Sequence, residues 1–205
     1  MAFVSYFVYT MNNHNSQFAI RESRIMYITT MKTISGMRPQ DVVVLAKIIA
    51  LGKSPWKGID LSRQLHLSAS EISESLHRSV TARLIDAEKR IVQTATFLDF
   101  LVYGIRVVYP ASLGGFQRGI PTAYSAAPLN KRISSDEQLV WAYEDGNARG
   151  QVVEPLYPTV PLAAKEDTGL HALLALIDTL RVGKVREIQL AKEELSKRFA
   201  EYAIH

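Results

Sequence analysis

The sequence contains no cysteine. This absence excludes disulfide bonds, thiolate zinc sites, iron–sulfur clusters and a cysteine nucleophile. A long apolar run is missing too, because segment 2–11 is too short to span a bilayer and is interrupted by Ser5 and Thr10. The basic start and the small-residue cleavage site of a secretory signal are also absent. We therefore expect a cytoplasmic protein with no membrane association.

Motifs for metal binding and catalysis are equally scarce. No two histidines follow the HxxxH or HExxH spacing of a zinc or di-iron centre. The sequence has no GxSxG elbow, and the adjacent acids Asp136-Glu137 and Glu144-Asp145 have the pattern of solvated loop residues. We therefore expect no metal, no cofactor and no enzymatic activity.

The small excess of basic residues is unevenly distributed. Lysine and arginine total 24 against 20 aspartates and glutamates, a formal charge of +4 in 205 residues. Segment 1–36 carries +2 and segment 37–92 carries +3, whereas 93–164 carries −1 and 165–205 is neutral. If a nucleic acid binds, we expect it to bind before residue 93.

Segment 1–36 shows no regular pattern. We expect a leader that is flexible or not natively translated. The alternative is an arm that packs on a dimer partner or touches DNA through Arg21, Arg24 and Lys32.

Segment 37–92 carries the local signals of successive helices. Pro39 and Asp41 suit the first turn of a helix that ends near Gly52. A short second helix fits residues 59–65, and a tight turn follows it.

The third helix, predicted over 68–84, has two different faces. Ser68 is its N-cap, and Glu71 completes a capping box. One face repeats an apolar side chain every four residues, at Ile72, Leu76, Val80 and Leu84. The other face carries polar side chains of a length suited to base edges and phosphates. Its members are Ser70, Ser73, Glu74, His77, Arg78 and Thr81.

The string IDLSRQLHLSASEISESLHR, residues 59–78, resembles the helix-turn-helix of winged-helix transcriptional regulators of the multiple-antibiotic-resistance type. The resemblance covers about residues 37–92 and implies that helix 68–84 reads the major groove. It also implies a wing, for which Leu84-Ile85 and Ile91-Val92 are the pairing segments.

The residues expected to bind DNA follow from this arrangement. Ser70, Ser73, Glu74, His77 and Arg78 would face the major groove, and Ser68 and Thr81 of the same helix would also contact DNA. Glu74 would accept a hydrogen bond from cytosine. Lys89 and Arg90 at the wing tip, with Lys57 and Arg63, would contact phosphates.

Segment 93–164 contains short elements among glycines and prolines. We expect a helix over 94–103, a strand over 106–109, and a β-hairpin from Trp141 to Val153 around a Gly146-Asn147 turn. Segment 114–122 is interpreted either as an anion cradle beside Arg118 or as a turn-rich loop.

Prolines 155, 158 and 161 predict an extended connector from which Tyr157 docks on a surface. Segment 165–205 predicts a helical hairpin broken at Gly183. The hairpin either forms a dimer interface or closes the core of its own chain.

We therefore expect a mainly helical α+β protein. A winged helix-turn-helix precedes a turn-rich segment with short strands and a C-terminal helical hairpin. The predicted function is sequence-specific binding of double-stranded DNA as a homodimeric transcriptional regulator. The alternative is a winged-helix protein-interaction module, antitoxin-like or adaptor-like, that holds a co-encoded protein.

Overall fold

A computed structural model describes residues 36–203 of the chain. The predicted leader, 1–36, lies outside the described residues except for Gly36. Residues 37–203 form one compact unit, and its apolar core contains residues from each of the stretches 37–92, 93–164 and 165–205. The predicted helix-turn-helix is therefore packed into a larger core and does not stand apart from it.

The described residues form a mainly helical α+β fold, as predicted. Within residues 36–203 no helix is both long enough and apolar enough to cross a membrane. The helices are α1 (Pro39–Leu51), α2 (Gly58–Leu65), α3 (Ala69–Thr81), α4 (Thr94–Asp99), α5 (Ile105–Val108), α6 (Val160–Glu166), α7 (Thr168–Val182) and α8 (Val185–Ala203). The strands are β1 (Leu113–Pro121), β2 (Leu139–Ala142) and β3 (Ala148–Val153).

Helices α1, α2 and α3 begin where the local signals placed them. Pro39 is the first residue of α1, and the turn between α2 and α3 is three residues long. His66 makes that turn by adopting a left-handed conformation with φ 54°. α3 ends at Thr81, three residues short of the predicted Leu84.

The predicted strand over 106–109 is wrong, because residues 106–108 are helical and Tyr109 follows the end of that helix. A π-helical turn, Phe100–Gly104, joins α4 to α5 in one continuous helical run. Ile105 is buried in the core. Burial of this side chain outweighs the β-propensity of Val107 and Val108.

The predicted hairpin from Trp141 to Val153 is also wrong. Strands β2 and β3 are parallel to each other, and β1 pairs antiparallel with both. Residues 143–147 connect β2 to β3 and cross β1 at Gly119. Gly146 of this connection lies against the backbone of Gly119. A Cβ at Gly146 would overlap the carbonyl group of Gly119, so the crossing depends on glycine here.

Strand β1 contains residues 114–121, most of segment 114–122, so the predicted turn-rich loop is wrong for these residues. The register of β1 against β3 shifts between Leu113 and Phe116, which places a bulge at Gly114-Gly115. Bulges of this kind increase the local twist of a strand pair.

A buried polar network fixes the sheet to α7. Asp178 is 1% exposed and accepts hydrogen bonds from Thr122 Oγ1 (3.0 Å), Trp141 Nε1 (2.6 Å) and Arg181 Nη1 (2.6 Å). Arg181 also donates to the carbonyls of Tyr109 and Glu154. Because the carboxylate is fully partnered, the sheet has one fixed position on the helices.

The C-terminal helical hairpin forms as predicted, with the break at Gly183. Of its two predicted roles, the structure shows the closing of the chain's own core. The apolar face of α8 is buried at Ala191, Leu195 and Phe199, and Phe199 stacks on Phe97 at 5.6 Å between ring centroids.

Candidate nucleic-acid interface

The start of α3 is closed by the predicted capping box. Ser68 Oγ accepts a hydrogen bond from Glu71 N at 3.2 Å, and Ser68 N donates to Glu71 Oε2 at 2.8 Å. A hydroxyl from outside the helix completes this arrangement, since Tyr157 donates to Glu71 Oε1 at 2.9 Å. The bonds from Ser68 and Tyr157 lower the pKa of Glu71, which is therefore a carboxylate at neutral pH.

The outer face of α3 consists of five exposed polar side chains. The apolar stripe predicted for the helix turns inward, with Ile72 at 1% and Leu76 at 7% exposure. The exposed side chains share hydrogen-bonding capacity and moderate length, and we call them the outer face: Ser70, Ser73, Glu74, His77 and Thr81.

Arg78 does not belong to this face, which corrects its predicted place among the groove-facing residues. Its side chain is 6% exposed and points toward α1. There Nε donates to Asp41 Oδ2 at 2.9 Å and Nη2 donates to Asp41 Oδ1 at 2.6 Å. The pair raises the pKa of Arg78, and burial beside it raises the pKa of Tyr109 to about 12. A guanidinium held in this way cannot reach a base edge without leaving its partner.

Arg78 nevertheless affects the outer face. Its Nη1 lies 3.6 Å from Glu74 Oε2, one turn back along the helix. The buried cation therefore offsets part of the negative charge that Glu74 presents to solvent. The repulsion that this carboxylate would exert on phosphates is reduced accordingly.

The two segments predicted to pair in the loop after α3 do so, but through one residue pair only. Ile85 and Val92 make a single antiparallel bridge. Asp86 stabilises the turn between them, because its Oδ1 accepts from the backbone N–H groups of Arg90 and Ile91, both at 2.6 Å.

The two predicted phosphate contacts of this loop, Lys89 and Arg90, differ in whether the side chain has a partner within the chain. Lys89 stands at the tip with φ 59° and is partly exposed. Arg90 folds back: its Nη1 donates to the carbonyl of Trp56 at 2.9 Å, and its guanidinium lies 5.1 Å from the centre of the Trp56 ring. Arg90 thereby joins the loop to the segment that precedes α2.

Lys57 and Arg63, the other predicted phosphate contacts, are exposed at the start and the last turn of α2. Three acidic residues of segment 37–92 form hydrogen bonds at the start of the helix in which they lie. Asp41, Asp60 and Glu71 each occupy the third position of a helix and accept the N–H of its N-cap residue. These carboxylates stabilise helix starts, where the helix dipole favours them.

The sequence did not predict α6, the helix that packs behind α2. Helix α6 packs against α2, and Glu166 of α6 lies 3.4 Å from Nε2 of His66 in the turn before α3. The prolines of the connector predicted an extended segment, but Val160–Glu166 is helical with Pro161 in its first turn. Proline is tolerated there because its missing N–H has no helical partner to lose.

The chain matches no protein-family model, no curated protein and no solved structure. The resemblance over residues 59–78 remains an expectation. An assignment of function therefore depends on the geometry of the described residues.

Proposed function

We propose that residues 37–92 form a winged helix-turn-helix and that the protein is a sequence-specific DNA-binding regulator. Helix α3 would enter the major groove with its outer face, and Lys89 would approach the adjoining backbone. Lys57 and Arg63 would contact phosphates on the flank.

The observation that carries the proposal is the division of α3 into two faces. Ile72 and Leu76 are buried, whereas Ser73 and His77, each one position further on, are exposed. No described residue covers the outer face, whose side chains are polar and of short or moderate length. Hydroxyls and an imidazole can donate or accept hydrogen bonds, which suits them to the donor and acceptor groups of base edges.

The electrostatics of segment 37–92 support the same proposal. Once the buried side chains of Asp41, Lys47 and Arg78 are set aside, seven basic and five acidic residues remain on its surface. Three of those five, Asp60, Glu71 and Asp86, accept backbone N–H groups at the ends of turns or helices. The surface basic residues are therefore left with few mobile counter-charges.

The experiment that tests the proposal is selection of bound sequences from random double-stranded DNA, read at about 50 and 200 mM salt. We expect an enriched sequence and an affinity that falls steeply with salt, because phosphate contacts release counterions. Absence of enrichment would remove sequence-specific binding from consideration.

A protein-interaction module is the second candidate, and one observation favours it. Tyr103 and Val107, one turn apart, are 77% and 81% exposed. Exposed apolar side chains that lie next to each other, unlike single ones, are typical of surfaces that meet another protein. The predicted homodimer and the predicted co-encoded partner both stay predictions. Light scattering of the purified chain decides between monomer and dimer, and a complex formed through apolar contacts would be insensitive to salt.

A further inference from the structure

The exposed face of the β1–β3 pair carries two arginines side by side. Arg118 of β1 is directly opposite Arg149 of β3, and Phe116 is directly opposite Gln151. Directly opposite residues in an antiparallel pair point to the same side, as do residues two apart along a strand. Phe116, Arg118, Arg149 and Gln151 therefore share one side of the sheet, which we call the arginine face.

Folding alone does not account for the arginine face. Like charges directly opposite each other on neighbouring strands are destabilising. Within residues 36–203 neither guanidinium forms an ion pair. Phe116 is 56% exposed beside them. A stability-driven choice of residues would not place two such charges and a half-exposed aromatic ring together.

The arginine face borders an open groove of about 530 Å³. Phe116, Arg118, Asn147 and Arg149 all line it. The acidic residues of the crossing loop, Glu144 and Asp145, do not. The groove thus offers two guanidiniums, an amide and an aromatic ring without a lining carboxylate, which is the chemistry that binds phosphate and the sugar or base attached to it.

A chain of contacts joins the arginine face to the start of α3. Tyr143 N donates to the carbonyl of Arg118 at 3.2 Å, and Lys165 of α6 lies 5.1 Å from the centre of the Tyr143 ring. The next residue of α6, Glu166, contacts His66 in the turn before α3. The arginine face and α3 therefore sit at opposite ends of one short path over α6.

We propose that the arginine face is a second DNA contact, which binds backbone phosphates of the duplex beyond the segment read by α3. This proposal rests on the function proposed above. Arg118 and Arg149 bind the oxygens of backbone phosphates, and Phe116 packs on the adjoining deoxyribose or on an unstacked base. The contact extends the footprint on one flank of the recognised sequence and adds affinity without reading bases.

The test compares two duplexes that carry the sequence enriched in the selection. One is trimmed to about 15 base pairs, and the other is extended on both sides to about 40 base pairs. We expect the wild type to bind the longer duplex at least about tenfold more tightly, since two more phosphates are neutralised. The Arg118→Ala/Arg149→Ala variant should bind both duplexes alike. On the longer duplex its slope of log affinity against log salt should fall by about two.

Two control variants test whether the effect is due to the charges of Arg118 and Arg149. Arg118→Lys/Arg149→Lys keeps the charge and should retain most of the salt slope. Arg106→Ala/Arg186→Ala removes two exposed arginines from α5 and α8 and should leave both affinities unchanged. The melting temperature of Arg118→Ala/Arg149→Ala should equal or exceed that of the wild type, because a like-charge pair is removed.

The outcomes separate the two proposals. If the wild type enriches no sequence, the DNA-binding function fails and the arginine face proposal fails with it. If the wild type binds its sequence but Arg118→Ala/Arg149→Ala shows unchanged affinity and salt slope on the longer duplex, only the arginine face proposal is overturned. Full DNA affinity in that variant together with loss of an acidic protein partner would assign the face to protein binding instead.

Discussion

Asp41 and Arg78 form a two-bonded ion pair across the interface of α1 and α3, at 2.6 and 2.9 Å, with the carboxylate completely buried. The same carboxylate accepts the backbone N–H of Arg38 at 2.7 Å, so it also closes the start of α1. The side chains of Ile72 and Leu76 on α3 are buried as well. The ion pair and this apolar stripe together turn the outer face toward solvent.

Removing Arg78 should therefore reduce stability rather than DNA specificity. Arg78→Ala leaves Asp41 buried without its cation, and we expect a loss of about 3–5 kcal/mol in the free energy of unfolding, measured by urea titration. The double variant Asp41→Leu/Arg78→Met removes both charges and should recover much of that loss. A stable, fully folded Arg78→Ala protein that has lost only its DNA discrimination would contradict this role and assign Arg78 to base contacts in the major groove.

The loop crossing in the sheet depends on Gly146. Gly146→Ala places a methyl group against the backbone of Gly119, which cannot move aside, and we expect a loss of about 3 kcal/mol or more in the free energy of unfolding. Gly115→Ala is the matched control, because a Cβ at Gly115 meets nothing within 4 Å. Thermal melting of both variants checks this. Equal melting temperatures would mean that the crossing is absent in solution.

The ion pair between Lys47 and Asp167 should make stability fall in acid. Lys47 Nζ lies 2.6 Å from Asp167 Oδ2, and Asp167 Oδ1 caps α7 by accepting from Leu170 N at 3.0 Å. Burial alone would raise the pKa of Asp167, but the bonds from Lys47 and the backbone lower it below its ordinary value. The stabilisation is therefore present above the unfolded pKa, near 4, and is lost as the pH falls through the lower folded value.

Asp167→Asn isolates this effect, since asparagine keeps the cap but not the charge. Lys47 is 4% exposed, so at pH 7 the variant should lose about 2 kcal/mol or more. The difference between wild type and variant should stay constant from pH 7 to about 5 and shrink below about pH 4. Urea midpoints across this range measure it, and a difference that grows on acidification would contradict the assigned pKa direction.

The sequence predicted those features that local interactions determine. Pro39 at the start of α1 and the Ser68–Glu71 capping box are signals read within one helical turn. The bridge between Ile85 and Val92 closes over six residues and is nearly as local. These elements position the candidate site, so most of the outer face was predictable.

The features that were mispredicted depend on distant partners. Arg78 lies one turn from Glu74 on a polar-looking face, and only Asp41, 37 residues away, draws it inward. The Gly146-Asn147 pair is typical of a hairpin turn, but the two strands that it joins are parallel, and each pairs antiparallel with β1. Neither the Asp41–Arg78 ion pair nor the arrangement of the strands can be inferred from the spacing of residues along the chain.

The role of α3 as the reading helix is tested most directly by the Ser73→Ala/His77→Ala variant of the outer face. Both side chains are exposed, so the stability of the variant should match that of the wild type within about 0.5 kcal/mol. Ser196→Ala/Gln189→Ala is the control, with two exposed polar residues of α8 removed. The measurement is the affinity for the enriched sequence divided by the affinity for a scrambled duplex, at one salt concentration.

We predict that this ratio falls in Ser73→Ala/His77→Ala by a factor equivalent to about 1–3 kcal/mol for each base that the variant no longer reads, while the control keeps the wild-type ratio. An unchanged ratio in the outer-face variant, with both proteins folded, would contradict the assignment of α3 as the helix that reads DNA.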